Sequence, residues 1–565
     1  MLPRSIAQGR RAWQWIGLLI ALALLNASVT FHNVWPTLGV HWPGELSLEL
    51  AVLLLLLALS NAWLGPTAPR VLALLSVVLV LFALGRYGEV TAPALYGRDV
   101  NLYWDGPRLI SVVQMLTRAA SIGQVLALYG GALLIFTLLY LIALWSLRQI
   151  DAVLHEYRAA RLVFGIGGTL LLASFLAQQL SHAVPRTPRF SIPVSRTYGE
   201  QIARIMDALS SRRAARVLPG SPALHSAFEA LSGSDVVLVF LESYGSVTYD
   251  RPEYARALQP ARERLAAALN DTGRDVVSAF VTSPTFGGQS VLAHLSLLSG
   301  IEVRDSARYA LLMTQKRPTL VSAFRAAGYR AVAVMPGMRQ DWPEGAFYGF
   351  DDIYDSAKLQ YGGPEFGWWR IPDQYAVAAL DSRELQIHPR KPVFAFFPTV
   401  STHIPFRPVP PLQPDWRRML SSKPYDGAPL QLAFAQRAHW SDMGRSYVDS
   451  VEYFFDVLAS YLRERANDNL VLIVLGDHQP AANVSGEAAP WDVPVHIISK
   501  RREILEVLQH KGFRSGLTPT RPALGKMNEL AVWLLDAFGR TERESLQPLR
   551  AERDGAAQSE LVQGN

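Results

Sequence analysis

Long apolar runs occupy the first third of the chain, and short apolar runs separated by helical segments occupy the rest. Five apolar runs precede residue 181, covering residues 13–31, 46–64, 71–84, 125–147 and 162–180. A helix needs roughly 17–25 apolar residues to cross the hydrocarbon core of a membrane. Four runs reach that length, and the third needs flanking residues to do so. The pattern predicts a transmembrane region of five spans in residues 1–181.

Arginines between the runs predict the orientation of these spans. They precede the first run, separate the second from the third and separate the fourth from the fifth (Arg4, Arg10, Arg11, Arg70, Arg148, Arg158 and Arg161). Because loops rich in Lys and Arg stay in the cytoplasm, five crossings place everything after residue 180 on the outer side. Four arginines in residues 86–124 weaken this asymmetry without reversing it.

Three further segments have polar or amphipathic patterns. Residues 108–119 have helical spacing and predict either an interfacial amphipathic helix or an ordinary packed loop helix. Residues 182–233 predict a basic juxtamembrane linker, with a helix near 198–215 that either contacts anionic headgroups or presents a solvated face. Residues 541–565 predict a polar tail, which is expected to be disordered over Glu552–Asn565.

Composition supports a membrane protein. Of 565 residues, 50% are hydrophobic and 18% are charged, against about 25% charged residues in soluble domains. The net charge of +6 is compatible with nucleic acid, but many basic residues flank apolar runs, so a membrane surface is favoured and no nucleic-acid partner is expected. The absence of cysteine excludes disulfides, cysteine-ligated zinc and a thiol nucleophile.

After residue 234, short and continuous apolar runs predict strands that are buried on both faces. These runs are residues 235–241, 330–335, 393–397 and 470–475, and helical patterns such as 254–269 and 448–465 lie between them. Continuous hydrophobicity is typical of a parallel sheet covered by helices. Residues 234–540 are therefore predicted to form an α/β sandwich.

Three of the predicted strands lead into residues of the metal-ligand type. Residue 241 is followed by Glu242, residue 475 by Gly-Asp477-His478, and residue 397 by a short segment that ends in His403. Ligands of such sheets bind at the carboxyl ends of the strands, and carboxylate and imidazole suit Mn²⁺ or Zn²⁺. Each residue alone is explained by a turn, a cap or a solvated side chain, but their conjunction favours a metal site.

A hydroxyl nucleophile is the remaining part of such a site. Ser290 follows Gly287 and Gly288 and precedes the apolar helical run 291–298. The first turn of a helix favours a phosphate, and a metal on Oγ would favour the alkoxide form of the serine. The alternative is that Ser290 only caps the helix.

These motifs, in this order, resemble the alkaline phosphatase and sulfatase superfamily over about residues 235–500. Within it they look like the branch of lipoteichoic acid synthases and periplasmic phosphoglycerol transferases, whose five-span region the N-terminal third also resembles. In arylsulfatases a cysteine that becomes formylglycine stands where Ser290 stands, followed by Pro and Arg. Here Leu292 and Ala293-His294 follow instead, so an unmodified hydroxyl is the expected nucleophile.

The resemblance implies a role for each motif residue. Glu242, Asp477 and His478, together with the nucleophile Ser290, would hold Mn²⁺, or alternatively Zn²⁺ or Mg²⁺. His403, in a Ser-x-His-x-Pro-Phe motif, would bind substrate. If the alignment were shifted, Thr285 or Ser283 would be the nucleophile.

The resemblance also implies a headgroup-binding tryptophan, and here the chain departs from the pattern. Trp342 matches that tryptophan, but the family carries an arginine two residues later, where this chain has Glu344. Arg339 is the expected replacement. This departure leaves the donor headgroup open.

The implied activity is transfer of a phosphoglycerol group from a phospholipid, with phosphatidylglycerol favoured, to a glycan or lipid-linked acceptor through a phospho-serine intermediate. The implied location is a bacterial inner membrane, with the catalytic domain periplasmic. One alternative is phosphoethanolamine transfer, although those relatives usually carry disulfides. A sulfatase- or phosphodiesterase-type hydrolase and a non-enzymatic membrane scaffold with a relict fold are the others.

Overall fold

The computed structural model divides the chain into two compact units, Met1–Arg216 and Val217–Asn565. It describes residues 4–35, 37–96, 99–103, 105–106, 122–180, 189–209, 218–339, 342–367, 370–436, 442–464 and 469–539. The helix predicted at 108–119 and the tail predicted at 541–565 lie outside the described residues.

In its described residues the first unit consists of helices and a short hairpin of two two-residue strands, β1 (His32–Asn33) and β2 (Val40–His41). Its helices are α1 (Arg4–Thr30), α2 (Leu48–Trp63), α3 (Pro69–Tyr96), α4 (Ile122–Glu156), α5 (Arg158–Leu180) and α6 (Val194–Leu209). By length and composition four of them can cross a membrane, over Arg11–Thr30, Pro69–Ala94, Val125–Glu156 and Arg158–Leu180. α6 begins four residues before the predicted juxtamembrane helix.

The third apolar run was expected to be the weakest of the five spans, and this expectation is wrong. In the structure the second run forms the helix that is too short to count as a candidate span, and the third forms a long one. α2 has only 16 residues, because Ser47 caps its start by accepting from the Leu50 N–H and Gly65 and Pro66 follow its end. α3 has 28 residues and continues through polar positions. It can do so because the buried Arg86 donates to the Phe31 carbonyl oxygen at 2.8 Å and pairs with Glu89 at 3.4 Å.

The second unit is built on an eight-stranded mixed sheet. Its strands are β3 (Asp235–Leu241), β4 (Asp275–Thr282), β5 (Arg330–Val334), β6 (Asp352–Tyr354), β7 (Val393–Pro398), β8 (Leu470–Gly476), β9 (Asp492–Ser499) and β10 (Arg514–Ser515). Their order across the sheet is β10-β4-β9-β8-β3-β7-β5-β6. The four predicted strands are β8, β3, β7 and β5, which are neighbours and parallel, so the predicted parallel core is confirmed.

The sequence reading missed β4 and β9, which pair antiparallel with each other beside β8. Polar residues interrupt their apolar patterns. Two of these, Ser278 and His496, are buried and hydrogen-bonded to each other, with 2.6 Å between Ser278 Oγ and His496 Nδ1. Because these polar groups satisfy each other, the strands are buried without a continuous apolar run.

Helices cover both faces of the sheet. They are α7 (Val247–Asp250), α8 (Pro252–Asp271), α9 (Ser290–Ser299), α10 (Ser306–Met313), α11 (Leu320–Ala326), α12 (Pro343–Tyr348), α13 (Ser356–Leu359), α14 (Asp373–Leu380), α15 (Trp416–Met419), α16 (Gly427–Ala435), α17 (Gly444–Glu464), α18 (Ala482–Ser485), α19 (Arg502–His510) and α20 (Leu530–Gly539).

Alternate residues of β3 face two separate hydrophobic cores. Val236, Leu238 and Phe240 pack into the core that contains residues of α9, α11, α19 and α20. Val237, Val239 and Leu241 pack into the core that contains residues of α8, α14 and α17. The unit is thus the predicted α/β/α sandwich, and β3 is buried from end to end.

Candidate metal and active site

The register of β3 and β8 places Glu242 beside Asp477. Leu241 pairs with Gly476 in the parallel ladder, and each acidic residue directly follows its strand. Backbone groups orient Asp477, because its Oδ1 accepts from the Ser243 N–H at 2.8 Å and from the His478 N–H at 2.7 Å. The carboxyl ends of two neighbouring strands therefore bring both carboxylates to one point.

Glu242, Asp477 and His478 form a compact buried group. Each offers a ligand atom within 4.8 Å of the others. His478 Nε2 lies 3.5 Å from Glu242 Oε1 and 3.6 Å from Asp477 Oδ2. Their exposed fractions are 8%, 1% and 2%.

Ser290 joins this group through its hydroxyl. Its Oγ donates to Glu242 Oε2 at 2.9 Å and lies 3.2 Å from His478 Nε2. Ser290 is the first residue of α9, and the capping position before it is taken by Gln289, at φ 64°. The serine is therefore not the helix cap, and its oxygen faces the carboxylate and the imidazole.

The two alternative hydroxyls are bound to the backbone. Thr285 Oγ1 donates to the Gly288 carbonyl oxygen at 2.6 Å, and Ser283 Oγ donates to the Asp477 carbonyl oxygen at 2.5 Å. Both residues are 3% exposed. These bonds shape the turn that presents Ser290.

The four side chains fit a divalent cation. Asp477 Oδ2 is buried and has no hydrogen-bond partner among the described residues, which is costly unless a cation or water meets it. The Nδ1–H of His478 can donate to the Gln479 carbonyl oxygen at 2.7 Å, which leaves Nε2 as the ligand atom. Two carboxylates, one imidazole and one hydroxyl are ligands that suit Mn²⁺ or Zn²⁺.

Charge compensation inside the group gives the same conclusion. Burial and the charge of Glu242 raise the pKa of Asp477 well above its usual range. Burial opposes ionisation of Glu242 as well, but His478 and then His403 outweigh it and lower the pKa of Glu242. Burial lowers the pKa of His478, yet Asp477 and Glu242 raise it to about 9. The imidazolium thus supplies a positive charge that a bound cation would replace.

Two supporting residues escaped the sequence analysis. Thr399, directly after β7, accepts the Glu242 N–H on its Oγ1 at 3.0 Å. Asp373, at the start of α14, is fully buried and accepts the N–H groups of Val400 at 2.8 Å and Ser401 at 3.0 Å. Thr399 could have been identified from its position directly after a predicted strand. No sequence feature points to Asp373, because its hydrogen-bond partners lie far away in the sequence.

Asp373 fixes the turn that carries His403. Burial raises the pKa of Asp373 to about 6, in spite of the two backbone N–H donors. His403 Nδ1 lies 2.8 Å from the Ile404 carbonyl oxygen, five residues after β7, which is the parallel neighbour of β3. His403 therefore belongs to the same edge of the sheet as the buried group.

Trp342 and Arg339 lie on the segment that follows β5. The Trp342 ring is half-buried and packs near the rings of Phe350 and Phe396, with centroids 6.0 and 6.2 Å away. Glu344 is buried and accepts from the Tyr309 hydroxyl at 2.7 Å, so the position where the resemblance expects arginine holds a carboxylate inside the fold. Arg339 is exposed.

Comparison with known proteins identifies the fold of the second unit. Residues 234–502 match the family model described as Sulfatase. No curated protein matches the chain in sequence.

Several solved structures are similar to about half of the chain, at low sequence identity. The lipoteichoic acid synthase LtaP from Listeria monocytogenes is 15% identical, with 50% of this chain and 68% of that one covered and a TM-score of 0.33. The Streptococcus pyogenes phosphoglycerol transferase GacH is 12% identical, with 55% of this chain and 77% of that one covered and a TM-score of 0.34. The C-terminal periplasmic domain of EcEptC from Escherichia coli is 15% identical, with 57% of this chain and 86% of that one covered and a TM-score of 0.36.

Proposed function

Because residues 234–502 form a domain of the sulfatase family and follow helices long and apolar enough to cross a membrane, we propose that the protein is a membrane-anchored, metal-dependent transferase. It moves a phosphoglycerol group from a phospholipid donor, phosphatidylglycerol first, to the hydroxyl of a glycan or lipid-linked acceptor. The proposal includes a bacterial inner membrane as its location, with the second unit periplasmic. It assigns Ser290 as the nucleophile.

One observation carries the proposal: the Ser290 hydroxyl contacts a buried group of two carboxylates and an imidazole. Hydroxyl nucleophiles are activated by a neighbouring base or by a metal. A divalent ion held by Glu242, Asp477, His478 and Ser290 would act as a Lewis acid and lower the pKa of the serine hydroxyl. A serine with a purely structural role has no need of such surroundings.

In the first step Ser290 Oγ attacks the phosphodiester phosphorus of the donor. The Oγ–P bond forms, the bond from phosphorus to the diacylglycerol oxygen breaks, and a glycerophosphoryl ester is left on the serine. The hydroxyl proton of Ser290 is released to solvent, because Glu242 stays ionised, and the diacylglycerol oxygen takes up a proton as it leaves. His403 and Arg339 bind the non-bridging oxygens, and Trp342 contacts the headgroup.

In the second step the acceptor hydroxyl attacks the same phosphorus. The new O–P bond forms, the Ser290 Oγ–P bond breaks, the acceptor hydroxyl loses its proton to solvent and the serine oxygen takes one up. A donor that stays in the membrane meets a tethered domain at a high effective concentration. The absence of cysteine supports phosphoglycerol over phosphoethanolamine, because relatives that transfer the latter usually carry disulfides.

The deciding experiment is mass spectrometry of the Ser290 peptide from the full chain, after incubation in Mn²⁺ with vesicles of headgroup-labelled phosphatidylglycerol or phosphatidylethanolamine. We expect a glycerophosphoryl adduct on Ser290 from the first lipid only, and passage of the label to a glycan when an acceptor is added. A phosphoethanolamine adduct on Ser290 would instead identify phosphatidylethanolamine as the donor. Release of the headgroup into water whether or not acceptor is present would indicate a hydrolase, and no adduct with no bound metal would indicate a scaffold.

A further inference from the structure

Exposed apolar side chains of the second unit are concentrated in one segment. Among the described residues of this unit, seven large hydrophobic side chains are exposed, and five of them lie between residues 404 and 434 (Ile404, Leu412, Leu420, Leu432 and Phe434). We call these five residues the exposed apolar set. Single exposed hydrophobic residues are ordinary on a protein surface, but their concentration in one segment is typical of an interaction site.

Helix α16 is the most apolar part of this segment. Its sequence is GAPLQLAFA, without a charged residue, and only Ala433 is buried. The Leu432 side chain is 69% exposed and the Phe434 side chain 42%. Because a helix on a water-covered surface presents polar residues to solvent, α16 has the composition of a helix that lies against an apolar partner.

Contacts connect the end of α16 to the turn that carries His403. The Phe434 ring stacks on Phe366, with centroids 5.2 Å apart. Directly after the helix, Gln436 Oε1 accepts from Arg407 Nη1 at 2.8 Å. Phe366, Arg407 and His403 line the same small cavity. The end of α16 and the His403 turn therefore belong to one region of the surface.

The surroundings of the exposed apolar set are basic. Residues 403–436 contain four Arg or Lys residues against two Asp and no Glu. Arg417 and Lys423, on either side of Leu420 in the chain, are exposed. Apolar side chains beside exposed Arg and Lys are typical of surfaces that lie in the headgroup region of anionic membranes.

A bilayer is also the apolar partner to which this unit is tethered. Four helices of the first unit are long and apolar enough to cross a membrane, so a lipid surface is present at a high effective concentration. Ile404, which directly follows His403, is exposed as well. If His403 binds the phosphate of a phospholipid, as proposed above, a neighbouring surface in the headgroup region brings it to that phosphate. This last link rests on the proposed function, whereas the membrane contact itself does not.

We propose that the exposed apolar set docks the second unit on a lipid bilayer. Leu432 and Phe434 of α16 enter the boundary between headgroups and acyl chains, and the basic residues of the segment contact anionic headgroups. The contact uses no residue of the metal group, so it persists in lipids that are not donors.

The absence of cysteine allows a site-specific test on the full chain. A fluorophore is attached to the single cysteine of Leu432→Cys, and the protein is placed, one chain per disc, in nanodiscs of phosphatidylcholine and phosphatidylserine. The matched control is Ile387→Cys, which is 52% exposed and precedes β7, whereas the His403 turn follows it. We expect nitroxides on the lipid acyl chains to quench the label at residue 432 at least about threefold more strongly than the label at residue 387.

These discs contain neither of the proposed donor lipids, so quenching reports the bilayer contact and not occupation of the active site. Adding chelator or Ser290→Ala should leave it unchanged, and failure to form a Ser290 adduct would not affect it. Equal quenching of the two labels would overturn the proposal, whether the label at residue 432 lies in water or against another protein. Quenching that requires phosphatidylglycerol would also overturn it. If Leu432→Cys fails to fold, Gln431→Cys, exposed on the same helix, repeats the measurement.

Discussion

The two ends of strand β3 treat a buried carboxylate in opposite ways. At the start, Asp235 accepts from both terminal nitrogens of Arg390, at 2.6 and 2.5 Å, and from the Val393 N–H at 2.9 Å. At the other end, Glu242 lies against Asp477 and His478. Within the described ranges no lysine or arginine forms an ion pair with Glu242 or Asp477.

The difference separates a structural ion pair at one end from the group that we propose as the active site at the other. A buried ion pair with complete hydrogen bonding is closed, because its cation is part of the chain. Two buried carboxylates that share only one imidazole leave negative charge for an exchangeable cation to neutralise. Functional sites commonly keep such destabilising arrangements, and the rest of the fold offsets them.

The largest expected effect is on catalysis, at the end of β3 that carries Glu242. Ser290→Ala removes the proposed nucleophile, so transfer of labelled phosphoglycerol should fall by a factor on the order of 10⁴ or more. The matched control is Ser299→Ala at the other end of α9, whose hydroxyl donates to the Leu295 carbonyl oxygen at 2.6 Å. Transfer by Ser290→Ala at the wild-type rate would remove Ser290 from the mechanism.

The next largest effect is on the stability of the fold, at the end of β3 that carries Asp235. Arg390→Met leaves Asp235 buried without its cation, which should lower the free energy of unfolding by about 3–5 kcal/mol in a denaturant titration. Bound metal should be unchanged. Arg264→Met, which breaks an exposed pair with Asp456, should cost less than about 1 kcal/mol. Equal losses in the two variants would contradict the distinction between the ends.

The smallest effect has the opposite sign. Asp477→Asn keeps an oxygen that can accept from the Ser243 and His478 N–H groups but removes a crowded negative charge. In chelator at pH 8 it should therefore be more stable than the wild type by about 1 kcal/mol. Mn²⁺ should raise the melting temperature of the wild type and not of the variant. A variant less stable than the metal-free wild type would show that the carboxylate is structural.

Several elements followed from local pattern. The continuous apolar runs predicted β3, β5, β7 and β8, since burial on both faces selects such residues. The residues that follow these strands in the sequence were then candidate ligands, and the structure brings Glu242, Asp477, His478 and Ser290 together. The strands β4 and β9 were missed, because the partners of their buried polar residues Ser278 and His496 come from distant parts of the chain.

Other features depend on contacts between segments distant in the chain. Asp373 is recognised only through the loop it binds, and the length of α3 depends on the carbonyl oxygen of Phe31 that receives Arg86. Hydrophobic periodicity and chain order are local properties, so the amino-acid sequence predicts the central strands and the residues that follow them. Which buried charges have a partner in the chain and which have none depends on the fold, because the partners of a charge come from elsewhere in the chain.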